Sequence, residues 1–349
     1  MALEIYSTAD LLDVIRVQKG ITPYWLNLFP RVIRSDKEEI LFDQVTDGTK
    51  ELAPFVAPNV QGRVLRERGY NTKAFKPAYV KPKHVVDPSR AIPRMAGEAI
   101  GGELTLAQRY DAIVAENMRT ERIQIENRWE WMAARAVIDG EVTVVGEDYP
   151  SVTVNFGRDA SLTGTLLSTA QWGAADADPL SDIEDYRRRV HKLSGTTITR
   201  LTFGLDAWAL FTANQEVREL LNTSYRGSDT EFNRAVAEGT PYEYRGTLSG
   251  QRGMGRLELY TYAESFVDQD GVAQDILHPL DVVGTGPGLQ GVRCFGAIKD
   301  KRAGLKALEM FPKMWDVEDP SVTYTMTQSA PLMVPAQPNA SFKLTVATE

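Results

Sequence analysis

The sequence predicts an α+β subunit made of several packing units strung along one long helix, and three observations carry that prediction. Residues 105–138 place Leu106, Tyr110, Ile113, Val114, Met118, Ile125, Trp129, Met132 and Ala136 mostly at three-, four- and seven-residue steps, with one break near Arg122. Short runs rich in Val, Thr, Tyr and Phe precede and follow this stretch and read as strands. Between residues 178 and 310 helix and strand patterns alternate, as in a separate α/β unit. The 349 residues suffice for two or three such units with a substantial core.

Taken in chain order, the first element is a helix capped by Ser7 or Thr8, with Leu11, Leu12, Ile15 and Val17 on a partly apolar face. Pro23 and Pro30 then bracket Tyr24-Trp25-Leu26-Asn27-Leu28-Phe29. So many large apolar groups on an arm need cover, either from the body of the subunit or from a neighbour. Residues 48–88 read as a two-stranded excursion, with strand-like runs at Ala53–Val56 and Lys73–Val80. Its charged tip carries Arg63, Arg66, Glu67 and Arg68, and Pro54, Pro58, Pro77 and Pro82 exclude a central sheet position. A free two-stranded hairpin is only marginally stable in water, so this one should rest on another surface.

Thr105 is placed to cap the long helix and Gly140 to end it. At about 1.5 Å per residue the helix is a strut of roughly 50 Å. A hairpin follows, Val142–Val144 with Val152–Val154. Pro179 and Asp182 open the next helix through Ile183, Tyr186, Val190 and Leu193. Thr197–Phe203 and Leu257–Tyr262 read as strands, and Ala207–Phe211 as the start of a helix. The tail is strand-like at Val322–Met326 and Ala330–Val334.

Composition excludes several classes of protein. One cysteine, Cys294, rules out an internal disulfide framework. No run is long and apolar enough for a membrane span, and the first residues lack the pattern of a secretory leader, so none is expected. His84, His191 and His278 have no metal-ligand spacing. A net charge of −8 argues against a protein that grips nucleic acid tightly.

No catalytic set emerges. Gly284-Thr285-Gly286-Pro287-Gly288 lacks the lysine of a P-loop and, with Leu289 next, the third glycine of a dinucleotide fingerprint; it reads as a turn or loop. No Gly-x-Ser-x-Gly elbow occurs. Cys294 lies between Val292 and Phe295, which favours a core position over a thiol–base pair with His278. Asp182, Glu184 and Asp185 suit the first turn of a helix, and Arg187-Arg188-Arg189 reads as a solvated face or an ion-pairing surface at a subunit contact. No catalytic, cofactor-binding or metal-binding residue is expected.

The order arm, projecting hairpin, strut helix, small hairpin, α/β unit and closing strands resembles the Hong Kong 97 phage capsid fold. The wording is similar to the lambda-like phage major capsid protein E family over nearly the whole chain. It rests on Tyr6–Leu12, Tyr79–His84, Gln124–Arg135, Asp178-Pro179 with Asp182–Glu184, Ala207–Phe211, Arg293–Ile298 and Gln328–Met333. The resemblance implies an N-arm (1–47), an E-loop (48–88), a peripheral domain (89–177) with a spine helix (105–138), an axial domain (178–310) and closing strands of the peripheral domain (311–349). It further implies a structural head protein of the virion, assembled in the host cytoplasm from hexamers and pentamers into an icosahedral shell. Scaffold protein, portal and a decoration protein are the implied partners, with double-stranded DNA enclosed without sequence-specific binding. An acidic lining that leaves DNA free to slide fits this. Tyr24, Trp25, Phe29, Arg63, Arg66, Glu67, Arg68 and Tyr79 are the expected intersubunit contacts. A shell protein of an encapsulin-like bacterial compartment and a soluble α/β enzyme are the rival readings.

Overall fold

The strut is the helix Leu106–Ile138, 33 residues long, and both of its ends are chemically specified. Thr105 accepts from the Gln108 N–H and the Gln108 side chain accepts in return from the Thr105 N–H, a reciprocal cap. At the other end Gly140 turns the chain with φ +72°, and the Arg158 guanidinium donates to the last carbonyls, of Val137 and Ile138, at 2.7 Å each. Burial holds the Arg158 pKa down to about 10. The computed structural model describes residues 6–37, 39–46, 61, 69–93, 104–146, 149–223, 240–248, 255–267, 271–319 and 321–348.

The helix crosses two packing regions. Its first half, at Tyr110, Ile113, Val114 and Met118, packs with Leu11 and Ile15 of the first helix, Thr8–Val17, and with Val86 and Met314. Its second half, at Ile125, Trp129, Met132 and Ala133 to Ile138, joins the largest core, with Tyr24, Trp25, Phe29, Phe295, Leu332 and Met333. Alanines at 133, 134 and 136 keep the helix narrow there, so that neighbouring elements approach closely. Trp129 meets Phe295 edge to face at 5.1 Å between ring centres.

Three sheets surround the strut. Lys83–Val86 pairs with Val322–Gln328, which pairs with Phe311–Val317, all antiparallel. Arg31–Ser35 runs parallel to Val292–Gly296, which is antiparallel to Pro331–Val334. A six-stranded sheet orders Thr163–Thr165, Ser341–Thr345, Asp281–Thr285, Arg200–Phe203, Leu257–Tyr262 and Tyr242–Leu248. The helices Pro179–Ser194 and Leu205–Ala213 supply the apolar groups Ile183, Tyr186, Val190, Ala207 and Phe211 to the core that also holds Leu201, Phe203, Leu259 and Val282 of this sheet.

Five expectations are corrected. Ser341–Thr345, expected among the closing strands of the peripheral unit, sits inside the six-stranded sheet, between Asp281–Thr285 and Thr163–Thr165. Thr163–Thr165, from the range expected for the peripheral unit, joins it there. The glycine stretch expected as a loop begins as a wholly buried strand, Asp281–Thr285; Gly284 is needed there because the Phe342 ring occupies the place of a β-carbon. Arg187 is not solvated: it is buried, donates to Glu184 at 2.6 Å and reaches the Ile198 carbonyl. Finally, the partner of Gly69–Phe75 in the projecting hairpin is Ile40–Thr46. The run Ala53–Val56, expected to fill that role, lies outside the described residues, and the paired strand starts before the boundary drawn at residue 48.

Candidate functional site

Since the sequence offers no catalytic set, the surfaces to read are those that the chain satisfies itself and those that it leaves for another molecule. The best-satisfied surface is the seam between the arm and the strut. Arg122, Glu126 and Glu130 stand four residues apart on one helix face. The Arg122 guanidinium donates to the carbonyls of Ile15 and Gln18 and, at 2.8 Å, to Glu126. Glu126 accepts the Ile21 N–H at 2.9 Å. Glu130 accepts three successive backbone N–H groups, from Tyr24 at 2.9 Å, Trp25 at 2.7 Å and Leu26 at 2.9 Å. Burial pushes the Glu130 carboxyl above the usual carboxylate range, and the three N–H bonds pull it back in part.

These polar clamps seat an apolar plug. Trp25 and Phe29 have no exposure at all and Tyr24 has 3%. Tyr24 stacks at an angle against Tyr242 and Tyr262, 4.7 and 5.3 Å between centres, and its hydroxyl lies 2.6 Å from that of Thr202. Burial raises the Tyr24 pKa far above its ordinary value. Tyr24, Trp25 and Phe29 are therefore corrected as intersubunit contacts: side chains sealed in their own subunit have no surface to offer a neighbour. Arg63, Arg66, Glu67 and Arg68 lie outside the described residues. Tyr79 is half-buried; its hydroxyl donates to the Ala297 carbonyl at 2.6 Å, and the Lys81 ammonium lies 4.7 Å from its ring centre. Sequence reasoning missed the seam, although the break in the apolar stripe at Arg122 was its signal.

A second buried carboxylate, Glu121, ties the strut to the base of the projecting hairpin. It accepts from the hydroxyls of Thr325 at 2.8 Å and Thr327 at 2.7 Å and lies 3.2 Å from His84 Nδ1. Burial raises its pKa, while the two threonines and His84 oppose the rise. Cys294 is in the core, where burial pushes its thiol up to about 11. Among the described residues no group of three His, Cys, Asp or Glu side chains could hold a metal ion, and no helix is long and apolar enough to cross a membrane.

Other apolar groups remain uncovered. Ile92, Leu104 and Leu106 are exposed at the start of the strut, Val145 near the end of one hairpin, and Val267 and Val272 on another. The ribbon Ile40–Thr46 with Gly69–Phe75 has no third strand among the described residues.

A mixed fold with an arm laid along a strut helix, a projecting ribbon and a separate six-stranded unit defines a shell subunit of the Hong Kong 97 type. Over residues 7–346 the sequence matches the family described as phage major capsid protein E, and the chain belongs to that family. It is 33% identical to the major capsid protein of Escherichia phage lambda and 32% to that of Escherichia phage N15, each over 97% of this chain and 98% of the relative. A solved structure assigned as a prophage capsid protein of Escherichia coli CFT073 superposes with a TM-score of 0.73, at 24% identity, over 99% of this chain and 100% of that one. The chain is thus a structural major capsid protein and virion component, and not an enzyme.

Proposed function

We propose that this subunit assembles as hexamers and pentamers into an icosahedral head that encloses phage double-stranded DNA. The observation that carries the assembly is the two-stranded ribbon, anchored at its base by the buried Ile40 and Phe75. A free two-stranded ribbon is only marginally stable in water, and a neighbouring copy supplies the surface it rests on. In this reading residues 1–39 act as arm, 40–88 as E-loop with Ile40–Thr46 as its first strand, 89–177 as peripheral domain and 178–310 as axial domain, with Thr163–Thr165 and Ser341–Thr345 added to the axial sheet. Arg63, Arg66, Glu67, Arg68 and Tyr79 remain the proposed contacts of the ribbon, where charge sets register between copies. Scaffold protein, portal and a decoration protein are the proposed partners, and assembly takes place in the host cytoplasm. The net charge of −8 supports a wall that repels DNA weakly and reads no sequence. Identity of 33% along the full chain to a phage capsid protein favours this reading over a bacterial cargo compartment.

Electron microscopy of the purified protein, with and without scaffold, tests it. Deleting residues 60–70 is expected to leave a folded subunit that forms no closed shells. Normal shells from that deletion would show that the ribbon is not the clasp.

A further inference from the structure

A cleft of about 660 Å³ opens between the arm at Ile21, the strut at Arg128 and Trp131, and the small hairpin Ser265–Val267 with Ala273–Asp275 at Phe266. Arg128 is the unusual group in it. Its guanidinium is half-buried and lies 5.2 Å from the centre of the Trp131 ring, yet among the described residues it has neither a hydrogen-bond acceptor nor a carboxylate in ion-pairing reach. Burial lowers its pKa, with no anion to restore it. The indole N–H of Trp131 is likewise buried without an acceptor among the described residues. Elsewhere on the same helix Arg122 and Arg135 have carboxylate partners, at 2.8 and 3.2 Å. A partly desolvated cation left alone is destabilising until an anion meets it, so the cleft is unfinished in the isolated chain.

We infer that this cleft is an intersubunit socket in which Arg128 receives an Asp or Glu side chain of a second copy of the chain. Two features favour a protein segment over a bare phosphate. The walls mix the cation with apolar surface from Phe266 and Ile276, the combination of Arg and aromatic groups that marks the centre of protein interfaces. The chain itself carries 47 acidic against 39 basic side chains, so carboxylates are the group a second copy offers most freely. Glu264 also lines the cleft, so the guest is expected to bring its carboxylate to Arg128 and a donor to Glu264.

The inference rests on the shell reading, and the test separates the two. Shells are assembled without nucleic acid from a mixture of ¹⁵N-labelled and unlabelled Arg128→Lys protein and treated with a carbodiimide, which joins an amine to a carboxylate already in contact. The expected product is a mixed-label peptide pair joining the introduced lysine to an Asp or Glu of another copy. Shells in which that lysine links only within its own chain, or becomes shielded only when DNA fills the head, overturn the socket and leave the shell reading intact. If the wild-type chain forms no shells, both fall together. Arg128→Ala is the second arm. It is expected to raise the concentration needed for assembly about tenfold or more, with the subunit's melting temperature unchanged or higher. Assembly at the wild-type concentration, or a lowered melting temperature, refutes the socket.

Discussion

Replacing Glu130 by alanine removes the one acceptor shared by three consecutive backbone donors of the arm. Those N–H groups lie among Tyr24, Trp25 and Leu26, all buried, so water cannot replace the carboxylate without the plug coming out. Each orphaned buried donor costs about 1–3 kcal/mol. Three of them would sum to about 3–9 kcal/mol, less the desolvation that Glu130 no longer suffers. A net loss of about 3–5 kcal/mol is expected, in line with breaking a buried charged network. Glu130→Gln separates the acceptor from the charge. Its amide oxygen can keep the pair of bonds now made by one carboxylate oxygen, to Tyr24 and Trp25, but its NH₂ faces the Leu26 N–H. The expected cost is about 1–2 kcal/mol. Urea unfolding of the unassembled subunit reads both values, and limited proteolysis of residues 18–30 reads detachment of the arm. If Glu130→Ala lies within about 0.5 kcal/mol of wild type, or if Gln costs as much as Ala, the clamp argument is wrong.

Two further outcomes follow from the buried titratable groups. Because burial raises the Glu121 pKa above its ordinary 4.5, protonation favours the folded chain: its contribution is fully present below that value and is lost as pH rises through the raised one. Wild-type stability relative to Glu121→Gln should therefore increase as pH falls from neutral toward about 4.5, measured as the difference between urea midpoints; a difference independent of pH refutes it. With its thiol pushed up to about 11, Cys294 should resist iodoacetamide at about pH 8 in the folded subunit and react fully in denaturant, followed by mass. Reaction at the rate of a free thiol in the native protein would place Cys294 at the surface.

Local chemistry was enough to write down the strut, its caps and some of the strands, among them Glu141–Gly146, Tyr149–Asn155, Arg200–Phe203, Leu257–Tyr262 and Val322–Gln328. Thr105, Gln108 and Gly140 act on neighbours within a few residues, and the spacing from Tyr110 to Ala136 encodes a face regardless of what covers it. The Ser7 hydroxyl that caps Thr8–Val17, and Pro179 at the start of the next helix, are legible for the same reason, whereas the Asp10 carboxylate and the Asp178 cap, where the sequence pointed to Asp182, emerged only from the structure. The family wording from Tyr6 to Met333 was legible too, since it needs no contact map. What the sequence could not settle were choices between distant partners. Ser341–Thr345 has the pattern of any buried strand, and only the sheet shows that Asp281–Thr285 claims it. The aromatic run at residues 24–29 demands cover of some kind. Glu130, about a hundred residues away, decides that the cover is its own subunit, because a helix of fixed pitch brings that carboxylate level with three free N–H groups. Arg128 and Arg187 look alike as letters. Its own helix gives Arg187 the Glu184 carboxylate and packing buries it beside the Ile198 carbonyl, whereas Arg128 is left facing an open cleft. That difference of surroundings turns one arginine into structure and the other into a contact waiting for a second chain.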